Sequence, residues 1–164
     1  PQPTIARVQG AAFGGALGLI SCCDIAVAAT TANFALSEVK IGLVPATISP
    51  YVIAAIGERY AKRYFMTAER FDGNTALQMS LVHETVEEQQ LDKKIEQLVT
   101  SILSNGPEAV VAAKQLISKV SGEVIDSTLI EHTCEVIAGI RVSTQGQEGL
   151  SAFLGKRKPN WLKD

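Results

Sequence analysis

The stretch Gly10–Ala29, GAAFGGALGLISCCDIAVAA, decides how this chain is read. Gly10, Gly14, Gly15 and Gly18 crowd its first half, and its second half is almost wholly apolar. Small and aliphatic residues after Phe13-Gly14-Gly15 predict a helix that runs to about Cys22 and is buried on most sides. The first backbone N–H groups of a helix have no intrahelical acceptor and carry the positive end of its dipole. Glycine lets another group approach that backbone closely. Gly14-Gly15 therefore reads as a cradle for an anion, or for an oxygen that gains charge in a transition state. The competing reading is that the glycines only permit tight helix packing. The pair lacks the lysine of a Walker A loop and the GxGxxG spacing of a dinucleotide fold.

Downstream comes SEVKIGLVP (Ser37–Pro45), with Glu38 set among Phe34, Leu36, Val39, Ile41 and Leu43. An acid in apolar surroundings is poorly hydrated, which raises its pKa towards neutrality and suits a general acid or base. The plainer alternative is a solvated acid on a helical turn, pairing with Lys40 or with nothing. Ser37 is placed to cap that turn.

The flanking pattern is mixed α/β. Thr4–Val8 predicts a strand closed by Gly10, Asp24–Ala29 a buried strand and Asn33–Ala35 a shorter one. Ile48–Ile56 and Arg59–Met66 predict helix interrupted at Gly57. Phe71-Asp72-Gly73 reads as a turn, Asn74–Ser80 as a helix and Leu81–Val86 as a last strand. Beyond it the pattern is helical only. Leu91, Ile95, Leu98, Val99, Ile102 and Leu103 share one face, and Pro107 restarts a helix at its first position. Further apolar stripes run over 110–120 and 124–140, and a fourth helix ends at Leu154. The expected organisation is an α/β core over 1–88 and a helical region over 89–164 whose apolar faces need covering by the core or by another subunit.

Composition narrows the function classes. With 164 residues, 46% of them hydrophobic and 20% charged, the chain has the make-up of a globular domain. A net charge of −2 argues against a nucleic-acid or anionic-membrane partner. No apolar run reaches the roughly 18 to 20 residues of a membrane span. Three cysteines without CxxC or HExxH spacing predict free, buried thiols in a reducing, cytoplasmic setting and no metal site. His83, His132 and the adjacent Cys22-Cys23 are assigned no catalytic role, and Trp161 reads as a tail anchor. The opening PQPTIARVQG lacks a methionine and enters a strand directly, so a missing N-terminal half is expected.

Taken together, ARVQGAAFGGALGLISCCDIAVA, ANFALSEVKIGLVPATISPYV, ERFDGNTALQMSLVHETV and EGLSAFLGKRKPNW resemble the enoyl-CoA hydratase/isomerase (crotonase) superfamily from about Ile5 to Trp161. The CCDIA and GLVPA-ISPYV runs are most similar to bacterial methylglutaconyl-CoA-type hydratases. The resemblance implies the C-terminal part of a crotonase-like ββα spiral core followed by an all-helical assembly region. It implies an acyl-CoA substrate, no separate cofactor, and a trimer or dimer of trimers.

Carried over residue by residue, it places an oxyanion-holding N–H on Gly15 and a catalytic acid on Glu38. Phe13, Gly14, Gly18, Pro45 and Ala46 fall at the substrate. Phe153 and Lys156 supply an aromatic wall and a cation for the CoA of a neighbouring subunit, unless Lys156-Arg157-Lys158 is merely a solvated basic end. The second N–H donor of the family lies upstream of this sequence, so the 164-residue chain alone is expected to be inactive.

One departure matters. Family hydratases carry a second glutamate where this chain has Gly18. A single acid at Glu38 fits a one-glutamate hydratase, an isomerase that shifts a double bond, or a non-catalytic acyl-CoA-binding, oligomerising module. Gly18 is also expected to widen the pocket for a branched or carboxylated acyl group.

Overall fold

The computed structural model describes residues 1–162. They form two compact units, Thr4–Glu96 and a helical unit made of Gln97 onward together with Pro1–Pro3. The division falls inside the helix Leu91–Leu103 rather than at residue 88.

The first unit winds as a spiral. Strand β1 (Ile5–Val8) is followed after a corner at Gly10 by β2 (Ala11–Phe13), then helix α1 (Gly15–Cys22), then β3 (Ile25–Ala29) and β4 (Asn33–Ala35). β3 pairs parallel with β1, Ile5 opposite Ile25, and β4 pairs parallel with β2, Ala11 opposite Asn33. One ββα turn therefore adds one strand to each of two sheets. β6 (Glu84–Val86) completes the first sheet in the order β1-β3-β6, and β5 (Phe71–Asp72) completes the second in the order β2-β4-β5, antiparallel to β4. Ala26–Ala29 and Phe34–Leu36 are buried, as strands covered on both faces should be. Phe34 stacks on Phe71 with centroids 5.4 Å apart, and Tyr64 meets Phe71 at a tilt with centroids 4.6 Å apart.

β2 is not expected from the sequence. Two of its three residues are alanine, a weak strand former, and the strand exists because the spiral supplies a partner. The corner before it needs Gly10 at φ 66°. The helices expected on either side of Gly57 form the span α2 (Ser49–Thr67), broken as expected where Gly57 leaves helical geometry at φ 76°, ψ 159°. Asp72 ends β5 and caps α3 (Gly73–Gln78), accepting from the Thr75 N–H at 2.8 Å.

The last strand is shorter than expected. Leu81 and Val82 are buried but lie outside the ladder. His83 bridges the gap: its N–H donates to the Ala26 carbonyl at 2.8 Å, and its Nδ1 accepts from the Ala26 N–H at 3.0 Å. The imidazole thus imitates a strand carbonyl, which fixes its proton on Nε2 and gives His83 a structural task.

The helical unit contains most of α4 (Leu91–Leu103), then α5 (Pro107–Val120), α6 (Ser127–Val142) and α7 (Thr144–Leu154). It has little core of its own. α5 and α6 bury no residue fully, and Val124, Ile125, Ile137, Val142, Phe153 and Leu154 are 65–81% exposed. Its tail is held by a fork: Arg157 donates from Nη1 and Nη2 to the Glu148 carboxylate at 2.6 and 2.8 Å, and the Asn160 N–H adds a third bond at 2.9 Å. These bonds hold the Glu148 carboxyl at a pKa of about 2. A depressed carboxyl pKa contributes stability above the ordinary value of 4.5 that is lost as pH falls towards 2. Trp161, the chain's one tryptophan, packs over Gly149 and reports on the same corner. Trp161 emission is expected to show this corner loosening between pH 4.5 and 2, and Glu148→Gln to loosen it at neutral pH and remove that part of the pH dependence.

The thiols depart from expectation. Cys22, Cys23 and Cys134 are free, but Cys22 and Cys134 are exposed and Cys23 is half-buried. The helix carrying Cys22 is covered on the Leu17-Gly18-Ile20 face alone. No helix among the described residues is long and apolar enough to cross a membrane.

Candidate active site

Helix α1 opens at a backbone that only glycine adopts readily. Gly14 is its N-cap at φ 55°, ψ −121°, and its N–H is tied to the Ala35 carbonyl at 2.9 Å. That bond anchors the mouth of α1 to the end of β4. Gly15 is the first helical residue, exposed, with open space where a side chain would stand. Its N–H has no acceptor within the helix.

Glu38 reaches this mouth. It begins a 3-10 turn, Glu38–Ile41, closed by Gly42 at φ 77°, and its carbonyl accepts from the Leu43 N–H at 3.1 Å. Ser37 makes no side-chain cap here, contrary to expectation: with ψ near 1° it is already turned into the helical bend and does not hold the extended geometry of a capping residue. Glu38 Oε1 lies 3.2 Å from the place a Cβ on Gly14 would occupy. Only a residue without a side chain lets the carboxylate lie this close to the backbone. Its other oxygen, Oε2, is buried and has no hydrogen-bond partner. A buried acceptor left unpaired is costly, so an unpaired one beside open helix donors marks a place where a ligand or water is expected.

The apolar frame around Glu38 is only half closed. Phe34 and Leu36 are buried beneath it, whereas Ile41 and Leu43 are exposed. Pro45 is buried and Ala46 exposed in the loop that comes next. Phe13, at the end of β2, is partly exposed, and the Arg70 guanidinium lies 5.2 Å from its ring centroid. Sequence reasoning does not single out Arg70, because a lone cation gives no periodic or motif signal.

Gly18 does not widen anything. It is buried, and a Cβ there would fall 2.3 Å from Ile48 Cγ2 and 2.8 Å from Ile48 Cβ. The volume that glycine leaves is filled by Ile48, which corrects the expectation of a roomier pocket. Sequence reasoning passes over Ile48 because it is thirty positions away and reads as an ordinary helix-start residue.

Phe153 and Lys156 belong to the helical unit. Phe153 is 80% exposed, and Lys156 sits at φ 50° just past α7. Arg157, next to Lys156, is committed to Glu148, so the basic cluster is not uniformly free. A cleft of about 700 Å³ in that unit, lined by Lys119, Glu123, Asp126, His132 and Glu135, contains none of the expected site residues. His132 lies on its wall. Among the described residues no cluster of His, Cys, Asp and Glu is arranged to hold a metal ion.

The site is thus one carboxylate laid over a glycine-opened helix mouth in a ββα spiral: backbone donors plus a single acid. The chain belongs to the enoyl-CoA hydratase/isomerase family, whose model matches residues 1–164, and it has the crotonase fold. It is 33% identical to a crotonyl-CoA hydratase from Syntrophomonas wolfei over 98% of its own length and 62% of that protein's. A crystal structure of an enoyl-CoA hydratase from Shewanella pealeana superposes with a TM-score of 0.91 at 52% identity, covering 98% of this chain and 60% of that one. A Mycobacterium smegmatis enoyl-CoA hydratase gives 0.92 at 31% identity, over 99% and 63%. The chain thus spans about three fifths of these relatives.

Proposed function

We propose that this chain carries the proton-handling half of an enoyl-CoA hydratase site. The observation that carries the reading is the Glu38 carboxylate on Gly14, one oxygen buried and unpartnered, beside the unpaired N–H of Gly15. In the proposed step Glu38 takes a proton from water while the oxygen of that water adds to the β-carbon of an α,β-unsaturated acyl-CoA. The electron pair of the double bond moves onto the thioester oxygen, where the Gly15 N–H holds the charge. Protonated Glu38 then returns the proton to the α-carbon. Water is added across the double bond, and no oxidation or reduction occurs, so no redox cofactor is required.

An isomerase reading has one observation in its favour: Ile48 occupies the space over Gly18, so no second acid stands there. A single acid that removes and returns a proton moves a double bond without water. For assembly, the exposed apolar side chains of the helical unit support a trimer or dimer of trimers, with Phe153 and Lys156 offered to a neighbouring CoA. A cytoplasmic setting fits this chemistry.

The test is product analysis with crotonyl-CoA and a 3-enoyl-CoA, using the natural full-length protein. A hydratase abolishes the absorbance of the conjugated enoyl thioester and yields the 3-hydroxyacyl product. An isomerase creates that absorbance from the 3-enoyl compound. Inertness towards both overturns the enzymatic reading and leaves the acyl-CoA-binding module.

A further inference from the structure

Phe13, Ala35 and Arg70 form one row across the second sheet. Phe13 stands opposite Ala35 in the parallel ladder of β2 and β4. The antiparallel register of β4 and β5 sets Phe34 opposite Phe71, and one step further it sets Ala35 opposite Arg70. Side chains alternate across a sheet, so this row lies on the face away from the Phe34–Phe71 stack. The two ends of the row meet: the Arg70 guanidinium lies over the Phe13 ring, 5.2 Å from its centroid. Two strand spacings are about 10 Å, and the small side chain of Ala35 leaves that path free. We propose that Arg70 is a positioning residue: through the Phe13 ring it fixes the Phe13–Gly14 backbone, and with it the direction of the Gly15 N–H. This assignment rests on the enoyl-CoA reading above.

Three observations support it. Gly14, at φ 55° and ψ −121°, is the most permissive kind of residue, so the mouth of α1 must be held by its flanks. One hold is the bond from the Gly14 N–H to the Ala35 carbonyl, at 2.9 Å, from the middle of the row. The other is Phe13, directly before Gly14, whose partly exposed ring is clamped by the cation above it. Finally, Arg70 is left to the ring by its neighbours. Glu69 is paired with Arg63, Asp72 caps α3, and Arg70 itself has no ion pair among the described residues. A cation over a ring at an exposed site favours one arrangement by about 2- to 5-fold.

The test uses whichever substrate, crotonyl-CoA or a 3-enoyl-CoA, the natural full-length protein turns over. It compares Arg70→Met, Arg70→Lys, Phe13→Leu and the double variant Arg70→Met/Phe13→Leu, with a melting curve for each. Arg70→Met is expected to lower kcat by about 2- to 5-fold with KM nearly unchanged, because the oxyanion forms only in the transition state. Arg70→Lys keeps a cation over the ring and is expected to retain most of the activity. Once Phe13→Leu is in place, adding Arg70→Met is expected to lower kcat no further, because the ring it acts through is gone. The assignment is overturned if Arg70→Met lowers kcat by the same factor with and without Phe13→Leu. It is also overturned if Arg70→Met raises KM alone, which marks a direct contact to the ligand, or lowers Tm with kcat unchanged, which marks a purely structural role. A wild type inert on both substrates removes the enoyl-CoA reading itself, and the Arg70 assignment with it.

Discussion

Glu38→Gln lowers enoyl-CoA turnover by about 10³-fold, with Tm unchanged or raised, if Glu38 is the group that moves the proton. The amide keeps the shape of the side chain but cannot accept and return a proton. The stability half of this expectation comes from geometry. Oε2 is buried with no partner, so the native carboxylate bears a desolvation cost that a neutral amide bears less. Residues kept at a cost to stability are characteristic of working sites. Acyl-CoA affinity should change little, because the interaction is made to protons in flight and not to the resting ligand. A variant that loses turnover and Tm together would instead mean that Glu38 holds the loop Gly42–Ala46 in place.

The second large effect is expected at Gly15. Gly15→Pro replaces the N–H at the start of α1 with the Cδ of the proline ring, a change the helix itself tolerates at its first position. Loss of one oxyanion donor costs about 10² to 10³ in kcat. Gly15→Ala is the control. It keeps the N–H and adds a methyl where no heavy atom lies within 4 Å, so it should retain most activity. Matched pH–rate profiles for the two variants check that proton handling is intact in both. Equal losses in alanine and proline would show that space at the mouth matters and the donor does not.

The parts of the fold and site that are legible in sequence are local. The mouth of α1 shows because glycine pairs and an apolar run stand next to each other, and Glu38 shows because an acid is rare among such neighbours. The features that sequence hides depend on partners far along the chain. β2 is a short run of weak strand formers that pairs only because β4 is laid beside it. His83 completes a ladder with its side chain, which no alternation pattern encodes. Gly18 invites the reading of an empty space, and only the placement of Ile48 shows that it is filled. The helical stripes are visible one by one. That α5 and α6 bury no residue fully is not, because periodicity shows which face is apolar and not what covers it.

The most direct test is a crystal structure of the natural full-length protein with a slowly reacting acyl-CoA thioester bound. The thioester oxygen is expected about 2.7–3.1 Å from the Gly15 nitrogen, with a Glu38 carboxylate oxygen within about 3.5 Å of the reacting acyl carbons or of a water between them. A thioester held elsewhere, with Gly15 N–H bonded to solvent and Glu38 turned from the acyl chain, would refute the assignment of both residues.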